Sequence, residues 1–86
     1  MKEELIRETI LRILHNIAPE IDLAAIKPDR NLREQLDLDS MDMLAFVTAI
    51  DRELHVAIPE SDYRSLNTID GCVRYLTERL AETASS

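Results

Sequence analysis

Ser40 stands between two aspartates at the start of an apolar, helix-forming run, where its hydroxyl could serve as an attachment point. Asp39 is a good N-cap residue, and Asp42 lies three positions later, where an acidic residue completes a capping box. Ser40 would then be the first helical residue, at the positive end of the helix dipole. A phosphate on its oxygen would meet free backbone N–H groups, so the pattern predicts a phosphate-linked group at Ser40.

The composition predicts one small all-α domain that spans residues 1–86, with a polar stretch at 81–86 that frays. Hydrophobic residues make up 45% of the chain and aromatic residues only 3%, so the core must be aliphatic. A single glycine leaves little turn chemistry for β-hairpins. These observations favour an all-α fold. Together with the helical periods described below, they lead us to expect a four-helix bundle with a short third helix and a long loop between the first two helices.

The net charge of −7 argues against nucleic acid as a partner, because phosphate binding needs a basic surface. A basic patch on a partner protein is a better match. The single cysteine, Cys72, excludes an internal disulfide, and we expect it to be a buried, inert thiol. No segment is long and apolar enough for a membrane span or a signal peptide, so we expect a cytoplasmic protein without membrane insertion. We also expect it to be a monomer.

The acidic run that starts at Asp37 does not form a calcium loop. An EF-hand needs glycine at its sixth position and glutamate at its twelfth, where this chain has Asp42 and Thr48. We expect no metal site.

His15 and His55 have no serine or cysteine partner in a plausible catalytic arrangement, so the sequence offers no nucleophile–base pair for catalysis.

Helical periodicity places the four helices at about 2–18, 40–54, 60–66 and, after a cap at Asn67 or Thr68, up to about residue 81. The apolar face of the first helix comprises Leu5, Ile6, Ile10, Ile13, Leu14 and Ile17. The loop at about 20–38 is anchored by Ile21, Leu23, Ile26, Leu32 and Leu36. The last helix turns Ile69, Cys72, Val73, Leu76 and Leu80 inward.

The second predicted helix is apolar on two faces. Its core face comprises Met43, Phe46, Val47, Ile50 and Leu54. The opposite side comprises Met41, Leu44, Ala45 and Thr48, with Asp51 and Arg52 at its edges. A small chain cannot bury a helix on all sides, so this second face is either a docking surface or is covered by the long loop packing over Leu44.

Four segments of the chain resemble the acyl carrier proteins, small four-helix modules that carry acyl groups on a phosphopantetheine arm. Residues 39–42 (Asp-Ser-Met-Asp) are similar to the family's Asp-Ser-Leu-Asp signature, and residues 32–36 are similar to the stretch that leads into it. Residues 58–62 resemble the Ile-Pro segment at the start of the third helix. Residues 66–69 and 73–76 resemble the last helix.

The resemblance implies that Ser40 is the attachment site for 4'-phosphopantetheine, which a phosphopantetheinyl transferase would take from coenzyme A. The thiol of the arm would hold acyl cargo as a thioester, so the protein would be a carrier and not an enzyme. Its other partners would be an acyl-loading ligase or synthase and downstream acyl-processing enzymes. The residues implied to contact partners are Asp39, Met41, Asp42, Leu44, Ala45, Asp51 and Glu53.

Departures from the family pattern indicate a specialised carrier with its own loading ligase or biosynthetic cluster. Asp37 replaces a common glycine, Ala45 replaces a common acid, and Arg52 and Arg64 replace acids elsewhere. Methionine after the serine also occurs in carriers of amino acids, including D-alanine carriers. Two alternatives therefore stay open: an aminoacyl or peptidyl carrier, and a helical interaction module without the arm.

Overall fold

The computed structural model describes the backbone of residues 2–85 and the side chains of residues 2–81. Four α-helices and two 3-10 helices make up this part of the chain, and it contains no strand. In chain order they are α1 (Glu3–Ile17), a 3-10 helix (Leu23–Ala25), α2 (Leu32–Gln35), α3 (Ser40–Leu54), a 3-10 helix (Glu60–Leu66) and α4 (Ile69–Ser85). The four predicted helices are confirmed as α1, α3, the second 3-10 helix and α4.

The helices differ from the sequence prediction in two respects. The structure adds α2 and the first 3-10 helix inside the predicted loop, because elements of four residues or fewer are too short to show a period. The helix α4 continues to Ser85, beyond the predicted end near residue 81, since neither glycine nor proline interrupts this stretch. Ser86 lies outside the described residues, and fraying of 81–86 stays a prediction.

The core is mainly aliphatic, as the composition predicts, but it also contains the aromatic ring of Phe46. It forms where α1 packs against both α3 and α4. Its fully buried members include Phe46 and Ile50 of α3 and Leu76 of α4. Each such side chain contributes roughly 1.5–3 kcal/mol relative to an exposed position. The prediction for Leu5 was wrong: it is 51% exposed, because it lies about 100° around α1 from the buried Ile6.

The side chain of Gln35 holds the long loop closed. Its Oε1 accepts a hydrogen bond from the Lys27 backbone N–H at 2.8 Å. Its Nε2 donates to the carbonyls of Lys27 and Arg30 at 2.9 and 3.0 Å. Leu32 of α2 is fully buried in the core, which confirms it as an anchor of the loop.

Two backbone hydrogen bonds tie the loop to the start of α4. The Leu32 N–H donates to the Asn67 carbonyl at 2.7 Å, and the Asp70 N–H donates to the Pro28 carbonyl at 3.0 Å. Together with Gln35, these bonds place α2 directly before α3. The loop therefore holds α2 in a defined position next to Ser40.

Gly71 allows the second 3-10 helix to pack closely on the first turn of α4. A Cβ atom at this position would lie 2.6 Å from the Ser65 carbonyl oxygen, closer than packed atoms approach. The Gly71 N–H donates to Thr68 Oγ1 at 2.9 Å, which shows that Thr68, and not Asn67, caps the helix. One turn on, the Tyr75 hydroxyl donates to Asp62 Oδ2 at 2.6 Å and holds the same two elements together.

Candidate functional site

A reciprocal capping box fixes Ser40 as the first residue of α3. The Asp42 N–H donates to Asp39 Oδ1 at 2.8 Å, and the Asp39 N–H donates to Asp42 Oδ2 at 3.3 Å. Asp39 itself has an extended backbone, as an N-cap residue requires. The predicted helix start is confirmed, and Ser40 is exposed at the positive end of the helix.

Arg33 contacts Ser40 and was missed by the sequence analysis as a site residue. Its Nη2 donates to Ser40 Oγ at 3.2 Å, and its Nε donates to the Leu38 carbonyl at 3.2 Å. Arg33 belongs to α2, whose position depends on the folded loop, so no helical period relates it to Ser40. The available signal was charge: Arg33 is the only basic residue between positions 31 and 42.

The connection between α2 and α3 turns through Asp37, whose φ of 52° lies in the left-handed region. The Leu38 N–H donates back to the Arg33 carbonyl at 3.0 Å, which is the hydrogen bond of a Schellman motif. Glycine is favoured at this position because it has no Cβ. The resemblance expects glycine where Asp37 stands, and the backbone explains that preference.

A groove of about 450 Å³ opens beside Ser40, between α2, α3 and the second 3-10 helix. Apolar side chains of α3 line one wall, and polar side chains lie around the rest. The lining residues are Arg33, Ser40, Met43, Leu44, Val47, Glu60, Tyr63, Arg64 and Asn67. Such a groove can receive a flexible chain that is attached to Ser40.

The outward face of α3 is an exposed apolar strip, which we call the outer strip: Met41, Leu44, Ala45 and Thr48. Met41 is 73% exposed and Leu44 is 50% exposed. The alternative in which the loop packs over Leu44 was wrong, because hydrogen bonds hold the loop against the start of α4 instead. A shallow groove of about 370 Å³ runs along the strip as far as Arg52.

The acidic residues predicted to contact partners differ in their surroundings. Asp39 and Asp42 are held in the capping box, and Asp51 is exposed. Glu53 accepts two hydrogen bonds from Arg12 of α1, at 2.8 and 2.6 Å. These hydrogen bonds and the positive charge of Arg12 hold the pKa of Glu53 below its ordinary value. Any partner must therefore compete with Arg12 for Glu53, and the partner role of all four acids stays a prediction.

Nothing in the described part of the chain activates Ser40 as a nucleophile. Its hydrogen-bonding neighbour is Arg33, whose guanidinium is always protonated and cannot act as a base. His55 lies at the other end of α3, roughly 22 Å along the helix. No group of three His, Cys, Asp or Glu residues within the described range could hold a metal ion.

Cys72 is fully buried, and burial raises its pKa to about 12. Its Sγ donates to the Leu66 carbonyl at 3.4 Å. The thiolate is the reactive form of cysteine, so this thiol is inert at neutral pH, in line with the sequence prediction.

Comparison with known proteins identifies the family. The family model described as the phosphopantetheine attachment site matches residues 4–76, which is most of the chain. The chain belongs to the phosphopantetheine attachment family. Its members are carriers, so this protein is an acyl carrier protein and not an enzyme, and its cofactor is covalently bound 4'-phosphopantetheine. The exposed hydroxyl of Ser40, with free space beside it, fits such a group.

Similar carrier proteins come from several bacteria. Polyketide-8 synthase acyl carrier protein 2 of Streptomyces avermitilis is 26% identical over 83 residues, which cover 96% of this chain and 90% of that one. An acyl carrier protein of Myxococcus xanthus is 29% identical over 73 residues, covering 81% and 92%. The solved structure of an acyl carrier protein from Enterococcus faecalis has the same fold, with a TM-score of 0.78, 22% identity and coverage of 92% and 99%.

The left-handed backbone at Asp37 predicts whether each of two substitutions raises or lowers the free energy of unfolding of this carrier protein. Asp37→Gly should stabilise it by up to about 1 kcal/mol, because glycine has no Cβ penalty at positive φ. Asp37→Ala should destabilise it by a similar amount, although it removes the same charge. Urea unfolding of the two variants measures both free energies. Equal stability of the two variants would contradict the backbone explanation.

Proposed function

We propose that Ser40 carries the 4'-phosphopantetheine arm and that acyl intermediates are held as thioesters on its thiol. The observation that supports this most is the exposed hydroxyl at the first residue of α3, fixed there by the capping box. It lies inside the segment that matches the family model. A phosphopantetheinyl transferase would transfer the arm from coenzyme A and supply the base and the magnesium ion for the reaction.

Modification of Ser40 is tested by intact-protein mass after incubation with coenzyme A, magnesium and a broad-specificity phosphopantetheinyl transferase. The wild-type protein should gain one phosphopantetheine, and fragment mapping should place it on Ser40. Ser40→Ala should gain nothing and should unfold at the same urea concentration as the wild type, because the side chain is exposed.

Ser61→Ala is the matched control, since Ser61 is also an exposed serine at the start of a helical segment. It should be modified like the wild type.

A thiol titration at pH 8 gives a second measurement of the modification. Cys72 is buried and protonated, so the folded apoprotein should show no reactive thiol and the modified protein should show one. Modification of Ser40→Ala would exclude Ser40 as the attachment site.

We propose that the outer strip and the acids around it receive partner enzymes. An exposed apolar surface next to the attachment serine suits transient docking, and Asp39, Asp42 and Asp51 can attract basic residues on the partner. The partners would be the transferase, a loading ligase or synthase, and downstream acyl-processing enzymes. The domain would act as a monomer, because a second copy on the strip would block them.

Leu44→Asp should lower kcat/KM of the transferase about tenfold, since truncating a central apolar contact costs about 1–2 kcal/mol. The free energy of unfolding should fall by about 1 kcal/mol, because roughly half of the Leu44 side chain is buried. Leu5→Asp is the matched control, because the Leu5 side chain lies on a different helix and is 51% exposed, while that of Leu44 is 50% exposed. Equal loss of rate in both variants would argue against docking at the outer strip.

We propose that the pathway is a specialised one, such as polyketide synthesis, and that it operates in the cytoplasm. Support comes from two arginines in places where fatty-acid carriers commonly have acids: Arg52 at the outer strip and Arg64 in the groove beside Ser40. One relative is named as a polyketide synthase acyl carrier protein. Within the described residues, no helix is long and apolar enough to cross a membrane.

The class of cargo is tested by loading the modified protein with acyl-activating and aminoacyl-activating ligases in parallel. The acyl carrier proposal expects thioester formation with an acyl group, read as a mass increase that hydroxylamine removes. Arg52→Glu should raise loading by fatty-acid enzymes, because it restores an acidic face. Loading by aminoacyl ligases alone would favour the aminoacyl carrier that the methionine after Ser40 left open.

A further inference from the structure

Arg33 is held next to Ser40 by two hydrogen bonds that point its guanidinium in one direction. The Nε–H is fixed on the Leu38 carbonyl at 3.2 Å, and Nη2 reaches Ser40 Oγ at 3.2 Å. The carbonyl of Arg33 accepts the Leu38 N–H at 3.0 Å, so backbone and side chain of Arg33 both bind Leu38. The guanidinium is therefore oriented before any group is attached to Ser40.

The acidic residues close to Ser40 in the sequence make the position of Arg33 important. Residues 31–42 contain four acids, Glu34, Asp37, Asp39 and Asp42, and no base other than Arg33. The ion pairs found in the described part of the chain join Arg7 to Asp70 and Arg12 to Glu53. Arg33 takes part in neither of them, so no carboxylate of those pairs neutralises its charge. A phosphodiester on Ser40 would add a negative charge between Asp39 and Asp42.

We propose that Arg33 binds the phosphate group that links the arm to Ser40. This inference rests on the proposed attachment at Ser40 and assigns a role to a residue that the attachment itself does not require. The Nη2–H that now meets the hydroxyl oxygen would donate to an oxygen of the phosphate on the same atom. A planar guanidinium offers paired N–H groups that match phosphate oxygens, and the bonds are strengthened by charge.

Binding of the phosphate at Arg33 also gives the arm a direction. Arg33 lines the groove of about 450 Å³ that runs between α3 and the second 3-10 helix. The groove along the outer strip does not include Arg33, and the two grooves share only Leu44. A phosphate held by Arg33 therefore starts the arm at the mouth of the first groove and leaves Met41, Ala45 and Thr48 of the outer strip open for partner enzymes.

The experiment compares the apo and modified forms of the wild type, Arg33→Gln, Arg33→Lys and the control Arg30→Gln. Arg30 is exposed in the same loop, and its side chain is not among those that contact Ser40. Intact-protein mass first verifies that every modified sample carries one phosphopantetheine and that every apo sample carries none. Nitrogen-15 NMR then follows the guanidinium signals of Arg33 and Arg30, phosphorus-31 NMR follows the phosphodiester, and thermal unfolding gives Tm for both forms.

Attachment of the arm should shift the Arg33 guanidinium signals and leave those of Arg30 in place. Arg33→Gln should move the phosphorus-31 signal of the modified protein. It should also make attachment lower Tm by roughly 1–8 °C more than in the wild type, the shift that an exposed ion pair gives in a domain of this size. Arg33→Lys should fall between the two, because it keeps the charge and loses the planar geometry.

Unchanged Arg33 signals, together with the same change in Tm for the wild type, Arg33→Gln and Arg30→Gln, would overturn the proposal. The NMR result on the wild type stands even if Arg33→Gln is poorly folded, because it uses no variant. A mass spectrum without modification of the wild type would overturn the attachment at Ser40 itself, and it would do so before any comparison among the arginine variants.

Discussion

The capping box between Asp39 and Asp42 is the constraint on which the site depends. It fixes the first residue of α3, and with it the direction of every side chain that follows. With this start, Phe46, Val47 and Ile50 turn into the core, while Met41 and Leu44 turn outward. The same two carboxylates are occupied by backbone N–H groups. They therefore hold the serine in place and do not activate it.

The molecule separates a rigid scaffold from a reactive group that it receives later. Its core is built mainly from aliphatic side chains of α1, α3 and α4, and its own thiol, Cys72, lies within that core with a pKa raised to about 12. Ser40, by contrast, is exposed, and the described side chain that is hydrogen-bonded to it, Arg33, cannot act as a base. This separation suits the proposed carrier role, in which the arm would bear the thiol chemistry and partner enzymes would supply the catalysis.

The loop before α3 has a larger role than its irregular sequence indicates. Gln35 closes it through three hydrogen bonds, and two backbone bonds fasten it to the start of α4. It then turns into α3 through Asp37, at a positive φ that costs about 1–2 kcal/mol for most side chains. These bonds leave the outer strip uncovered and bring Arg33 to Ser40. The loop thus determines that the outer strip of α3 stays exposed and that the positive charge of Arg33 lies next to Ser40.

The sequence by itself determined the four main helices, the aliphatic core and the position of Ser40 at a helix start. These features follow from local rules: a period of 3.6 residues, the preference of aspartate for N-caps, and the backbone limits of proline. The short α2, the exposure of Leu44, and the contact between Arg33 and Ser40 were decided by the tertiary structure. Each depends on where the loop lies relative to the bundle, and hydrogen bonds between residues far apart in the chain fix that position, which no local period records.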